Sequence, residues 1–466
     1  MAERRPDIVL VVFDTARRDR FGCYGCPEPT TPTTDSLASA GLVADTMIAN
    51  GPWTLPSHAS LFTGLYPSEH GAQWQTGRQL NETVEITLAE FLRGLGYETV
   101  CATNNGLISS GTGLARGFDR YAHRVDLERR WRREVRHVEK LVRGADSGGE
   151  VINTWIREQL ASVRSPMFLM VNYLECHWPY APPRRLQRQV GGPRFGAVAD
   201  VRYRLDLARR TGPWDVIGAA DEEALAVYSA LYDAEHRNVD NHLSQLLDIL
   251  RGSGHLRDGE SMVIVTSDHG EHIGEHGLAD HQASLDDHLV RVPFIAWGPG
   301  IVPAGRRRAT SEFVDVLPSL AGLLGAQPPA SLPDRRTDLF ALNGSSASSD
   351  LAFAEWRSWG EQDVTRVSAR NPRYDFAPLV RDLICVRGER FKLVRSGGGS
   401  DTLFDLEEDP EEERDVSAVH PAEVARLGAA LDRQVGSWAT WVGTGTDLSE
   451  EQTAEIERHL ADLGYL

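Results

Sequence analysis

Residues 8–14 read IVLVVFD, six apolar positions closed by an aspartate. A short run without polar alternation fits a strand covered on both faces, because a strand with one wet face alternates. Working outward, four further runs share this texture: YETVCATN (97–104), PMFLMVNYLE (166–175), SMVIVTSDHG (261–270) and VPFIAWGPG (292–300). Between them, TLAEFLRGLG (87–96) and VDNHLSQLLDILRGSG (239–254) place apolar residues at helical spacing and close on glycine, the expected helix stop. Strands alternating with helices predict an α/β fold, a large and mostly parallel sheet flanked by helices on both faces.

The texture changes near Ala352. LICVRGE (383–389) and RFKLVRSGG (390–398) alternate around a turn, and TLFDLEEDPEEERDV (402–416) follows. This predicts an antiparallel sheet in a smaller C-terminal α+β subdomain over 352–466, ending in amphipathic helices. The Gly/Ser-rich stretch Gly344 to Asp350 is the expected linker, which leaves 1–343 as the catalytic domain. Pro182 to Ala220, rich in Arg, Gly and Pro, is expected to be a lid or a surface insertion.

A formal net charge of −18 repels a phosphate backbone, so nucleic acid is not an expected partner. No apolar run is long enough to span a bilayer, and the first residues show no small-residue cleavage site, so a soluble cytoplasmic enzyme is expected. The five cysteines, Cys23, Cys26, Cys101, Cys176 and Cys385, are odd in number, and a core this size needs no disulfides; reduced thiols are expected. Cys23 and Cys26 have metal-ligand spacing without a second pair. Oligomeric state leaves no signal in the chain.

In an open parallel sheet, ligands bind outside the carboxyl ends of the strands. Asp14 closes the first strand, Asp268 and His269 close SMVIVTSDHG, and His177 follows FLMVNYLEC by a few residues. Two carboxylates and imidazole nitrogens at one sheet edge suit a divalent cation, although each residue alone also reads as a cap or surface group. Thr54, in GPWTLPSHASLFTGLYPSEHG (51–71), opens a helix. It reads either as an N-cap with proline in the first turn or as a nucleophile where backbone N–H groups favour anions.

These segments resemble one family. DIVLVVFDTARRDRFGCYG (7–25), TPTTDSLASAGL (31–42), TLPSHASLFTGLYPSEHG (54–71) and TSDHGEHIGEHGL (266–278) with RVPFIAWGPG (291–300) are similar to the sulfatase family of the alkaline phosphatase superfamily. The likeness continues through HWPY (177–180), FVDVLPSLAGLLG (313–325) and RFKLVRSGGGSDTLFDLEEDP (390–410), nearly the whole chain. It implies an alkaline-phosphatase-like fold and a metal-dependent hydrolase of a small-molecule ester. By that resemblance Asp14, Thr54, Asp268 and His269 surround the metal, Thr54 being also the nucleophile. His177 and His281 contact the transferred group or protonate the leaving group, and Asn104 and Asn105 fall near the family's substrate-binding positions. His272, His276 and His288 match no assigned position and are expected in loops at the surface.

The departures from the family set the expected chemistry. A sulfatase needs Cys or Ser followed two residues later by Pro and four later by Arg, the signal for conversion to formylglycine; here the window is Thr54, Leu55, Pro56, Ser57, His58. A sulfated formylglycine hydrate expels sulfate from carbon, an exit closed to threonine, whereas a phosphorylated threonine is resolved by water at phosphorus. Threonine therefore favours cleavage of a phosphate or phosphonate ester, monoester or diester, through phospho-Thr54. Thr15, His269 and His281 stand where the family has Asp, Asn and Lys. Imidazole shifts preference from calcium toward one manganese or zinc ion, with calcium still admissible. Fewer fixed positive charges suit a monoanionic diester or phosphonate ester. Asp233, His236, Asp240 and His242, in YDAEHRNVDNHLSQLL (232–247), are the candidates for a second metal, but they match a family helix. The rival readings are a sulfatase, a transferase passing the phosphoryl group to an alcohol, and a binding protein without chemistry.

Overall fold

The computed structural model describes residues 5–73, 79–127, 147–183, 185–187, 222–332, 338–342, 350–372 and 374–435. Most of the 182–220 stretch, the 344–350 linker apart from Asp350, and everything after Val435 lie outside the described residues.

Eight strands form the main sheet: β1 (Asp7–Phe13), β2 (Leu42–Ala44), β3 (Glu98–Thr103), β4 (Arg120–His123), β5 (Met167–Tyr173), β6 (Ser261–Thr266), β7 (Phe294–Trp297) and β8 (Gly305–Arg307). Their spatial order is β8-β2-β7-β6-β1-β5-β3-β4. β1 lies in the middle, parallel to β5 with Val12 opposite Asn172, and parallel to β6 with Val12 opposite Thr266. Its fully apolar reading has a simple cause: Ile8, Leu10 and Val12 enter one core while Val9, Val11 and Phe13 enter the other.

The first core is filled by α2 (Thr54–Thr63), whose ten residues are all buried. The second is covered by α3 (Gly149–Leu160) and α4 (Glu222–Ser253). Tyr228, Tyr232, Val239, Leu243, Leu246 and Leu250 of α4 recur at three, four and seven residues and form its buried stripe. Asp233, His236, Asp240 and His242 do not converge on a metal site. Asp240 accepts from Thr33 N and Thr34 N at 2.8 Å, capping α1 (Pro32–Ala40) from across the fold. His236 bonds the Tyr232 carbonyl, Asp233 pairs with Arg20, and His242 lies 3.7 Å from Glu175.

One strand departs from the expected parallel set. β7 runs antiparallel to both β6 and β2. A separate four-stranded antiparallel sheet follows, β9 (Ala352–Trp356), β10 (Leu383–Arg387), β11 (Phe391–Ser396) and β12 (Asp401–Asp405), in sequential order. LICVR and FKLVRS pair as the expected hairpin, with Cys385 opposite Val394. Among the described residues no helix is long and apolar enough to cross a membrane.

Candidate active site

The carboxyl ends of β1, β3, β5 and β6 deliver polar side chains to one buried cleft. Past Phe13 the chain turns at Thr15, which takes φ 60 in the left-handed region. For a β-branched residue this is strain, of the kind that clusters at functional sites. The turn leaves Asp14 at the sheet edge and directs Thr15 N to Asp268 Oδ1 at 3.0 Å. Asp14 Oδ2 accepts from Asn105 Nδ2 at 2.7 Å and from Asn172 Nδ2 at 3.2 Å, whereas its Oδ1 has no hydrogen-bond partner.

Thr54 is the first residue of α2, with Trp53 at the N-cap position, so its hydroxyl is not spent on capping. Oγ1 accepts from Asn105 Nδ2 at 3.2 Å and lies 3.4 Å from His269 Nε2. His58, one helical turn on, meets the Thr54 carbonyl at 2.9 Å through Nδ1 and stands 3.5 Å from Asp268 Oδ2. His269 directs Nδ1 to the Gly270 carbonyl at 2.9 Å. A carbonyl only accepts, so Nδ1 carries hydrogen and the neutral ring offers its lone pair at Nε2. That lone pair is 3.2 Å from Asp268 Oδ2, an oxygen that takes no hydrogen bond.

Lone pairs turned toward one another in a dry cleft repel unless a cation lies between them. The orphaned Asp14 Oδ1 and Asp268 Oδ2, the His269 Nε2 edge and the Thr54 hydroxyl therefore fit a divalent ion, and Asp14, Asp268 and His269 cluster within 4.8 Å. The ionisation of the pair agrees. Burial and the neighbouring Asp268 push Asp14 up to about 7. Burial also opposes charge on Asp268, but positive charge at His269 or His58, in the place a bound cation would supply it, together with the Thr15 N–H outweighs it and holds this carboxyl below its ordinary range.

His177 and His281 both reach the cleft, with ring centroids 5.3 Å apart, and His281 stacks 4.3 Å from His269. They differ in kind. His177 directs Nδ1 to the Trp178 carbonyl at 2.6 Å, and burial together with His281 pushes it down to about 3. Burial works against the charge on His281 too, but Asp280 and Glu271 override it and raise this imidazole well above its usual value. Of the two asparagines, Asn105 bridges Asp14 and Thr54, whereas Asn104 turns away to the Ser147 carbonyl at 3.4 Å. His272 corrects the surface expectation: it is 1% exposed and bonds Asp286 at 2.6 Å, while His276 and His288 are partly exposed around the same aspartate. The short strand His272–Ile273 packs against α4, which loop-like composition does not reveal.

Four residues of the cleft carried no strong sequence signal: His58, Asn172, Glu271 and Asp280. The usable hints were the four-residue spacing of Thr54 and His58, one polar residue within an apolar strand, and two carboxylates adjoining assigned histidines.

Comparison with solved structures shows which proteins share this fold. The chain matches a phosphonate monoester hydrolase of Agrobacterium radiobacter with a TM-score of 0.71 and 22% identity, covering 96% of this chain and 99% of the other. The corresponding figures for a phosphonate monoester hydrolase of Silicibacter pomeroyi are 0.71, 18%, 92% and 95%. The chain belongs to the sulfatase family, whose family model, Sulfatase, matches residues 6–326. It is 25% identical over 446 residues to the uncharacterised sulfatase YidJ of Escherichia coli, spanning 88% of this chain and 82% of that one. An arylsulfatase of Clostridium perfringens is 23% identical, with 88% and 89% covered.

Proposed function

We propose that the chain hydrolyses a phosphate or phosphonate ester, with monoanionic diesters and phosphonate monoesters preferred, by way of phospho-Thr54. The observation that carries this reading is the Thr54 hydroxyl itself, at the first residue of a buried helix, 3.4 Å from His269 Nε2 and hydrogen-bonded to the asparagine that also holds Asp14. A threonine carbon bears one oxygen and has no route for expelling sulfate from carbon. The names of solved neighbours span both phosphorus and sulfur chemistry, so the choice rests on this residue.

Asp14, Thr54, Asp268 and His269 would hold one divalent ion; a nitrogen donor among oxygens suits manganese or zinc better than calcium. When bound, the ion supplies positive charge that acidifies the threonine hydroxyl and draws electrons from the phosphoryl oxygens. Asn105 fixes Thr54 Oγ1 against Asp14, and the α2 N-terminus favours negative charge there. Thr54 Oγ forms a bond to phosphorus as the bond from phosphorus to the leaving oxygen breaks. His281, kept protonated by Asp280 and Glu271, gives the leaving oxygen its proton, and His177, a neutral ring beside it, contacts the transferred group. Water then adds to phosphorus, the bond to Thr54 breaks, and the hydroxyl is restored. Among the described residues, Asp268, Glu271 and Asp280 have imidazoles and no Lys or Arg as ion-pair partners, and Asp14 is held by Asn105 and Asn172, which supports a substrate of low charge.

Family membership favours one other reading, hydrolysis of a sulfate ester at the same hydroxyl. Thr54→Ala separates catalysis from folding: turnover of an aryl phosphodiester should fall on the order of a thousandfold or more, with bound metal retained. Full activity in that variant sinks the covalent route. Faster turnover of aryl sulfate than of any phosphorus ester by the unaltered enzyme would favour the sulfatase reading.

A further inference from the structure

We propose a second divalent-cation site in the same cleft, held by Glu271, Asp280 and His281 and distinct from Asp14, Thr54, Asp268 and His269. One oxygen of each carboxylate and a ring nitrogen of His281 lie within 4.8 Å of one another. His281 Nδ1 stands 3.2 Å from Glu271 Oε1 and 2.7 Å from Asp280 Oδ1. All three residues are at least 97% buried.

The donors are more numerous than the hydrogens available to them. One imidazole edge offers a single N–H to two carboxylates, Asp280 Oδ1 also accepts the His281 backbone N–H at 2.8 Å, and Glu271 Oε2 and Asp280 Oδ2 accept no hydrogen bond at all. Neither carboxylate has a Lys or Arg partner among the described residues. Buried carboxylate oxygens without partners are costly, and an ion among them removes both the repulsion and the unmet acceptor capacity. Donors clustered this tightly reach metal-ligand distances of about 2.0–2.2 Å with small rotations. A cavity of about 20 Å³ borders Glu271 and Asp280, walled by Trp178, Tyr180, Leu225 and Tyr228. That is room for one water to complete the coordination. Two carboxylates, an imidazole and water suit manganese or zinc.

The consequence for the chemistry is geometric. A His281 bound through Nδ1 keeps its hydrogen on Nε2, on a ring whose centroid lies 4.3 Å from that of His269. A second ion there would add positive charge beside the first site. This extends the Thr54 reading, for which one ion suffices.

Metal stoichiometry decides the matter. The chelated full chain is reloaded with excess Mn2+, dialysed, and measured by elemental analysis and by electron paramagnetic resonance. The expected result is two ions per chain with the spectrum of a spin-coupled pair. Glu271→Gln with Asp280→Asn should leave one ion with an uncoupled six-line spectrum, folding being checked by circular dichroism. Two ions in both proteins place the second ion elsewhere and overturn the proposal. One ion in the unaltered chain also overturns it and leaves the Thr54 reading intact, whereas no bound ion contradicts both. Should the double variant not fold, coupled or uncoupled signal in the unaltered chain gives the answer.

Discussion

Asp14 and Asp268 are two carboxylates in one dry cleft, and their charge would govern metal binding at the proposed site. With Asp14 pushed up to about 7 from an ordinary 3.8, the metal-free folded chain keeps a proton that the unfolded chain has released. The sign follows directly: the group contributes stability below about pH 4 that is lost as pH rises through about 7. An entering ion must displace the same proton, so apparent metal affinity should climb about tenfold per pH unit below that value and level off above it. Calorimetry across buffers of different ionisation enthalpy would show proton release at pH 6 fading by pH 8; pH-independent affinity would contradict the placement of Asp14. His58 backs Asp268 and the Thr54 carbonyl. Its replacement by Phe should weaken metal binding by about 10–100-fold, since groups behind the ligands tune them by that much. Asp14, Thr54, Asp268 and His269 were legible because each closes a strand or opens a helix. Glu271 and Asp280 were not, because loop residues have no period to betray which side chain faces inward. Asn104 and Asn105 show the same limit at one-residue resolution: adjacent side chains leave the chain in different directions, and composition does not choose between them.

At the scale of elements, direction is harder to read than existence. The run VPFIAWGPG announces a strand, but four apolar residues read alike in either sense. β7 is antiparallel because the connection from β6 carries Asp268 to Asp287 as a loop over the cleft, with no long helix to cross the sheet and return in parallel. The loop that bears Glu271, Asp280 and His281 is therefore the reason for the reversed strand. Of the two readings of Thr54, the cap is the one the helix does not use: Trp53 occupies the N-cap position, a role usually given to a polar residue, and the Thr54 hydroxyl faces the cleft. The missing local cap on α1 is supplied from α4 by Asp240. Asp240→Ala should cost about 1–3 kcal/mol of stability in chemical denaturation, since it strands two buried amide groups. Loss below about 0.3 kcal/mol would show that water replaces the cap.

Across the whole molecule, the C-terminal sheet is fastened to the loop that carries His281 by buried charge. Lys392 on β11 is fully buried, with Asp287 Oδ1 and Glu412 Oε1 each at 3.0 Å, and Arg387 on β10 reaches Asp287 at 3.0 Å. Asp287 lies six residues beyond His281, so the second sheet braces the loop that forms one wall of the cleft. Lys392→Met leaves Asp287 and Glu412 with less countercharge and should destabilise the fold by about 3–5 kcal/mol, read from denaturant midpoints. A neutral result would mean that the two sheets are held by their other contacts, among them the apolar packing of Ala352, Ala354 and Trp356 and the hydrogen bonds of Phe353 to Asn50 and Glu312. The sequence announced both sheets through their different periodicities; the ion network that joins them was invisible, because its members are far apart in the chain. What unites the three scales is the claim that Thr54 becomes covalently bound to phosphorus. Hydrolysis of a chiral phosphorothioate diester in ¹⁸O-labelled water tests it whether or not the intermediate accumulates. Two in-line displacements, at Thr54 and then by water, predict net retention of configuration at phosphorus; inversion would contradict the account.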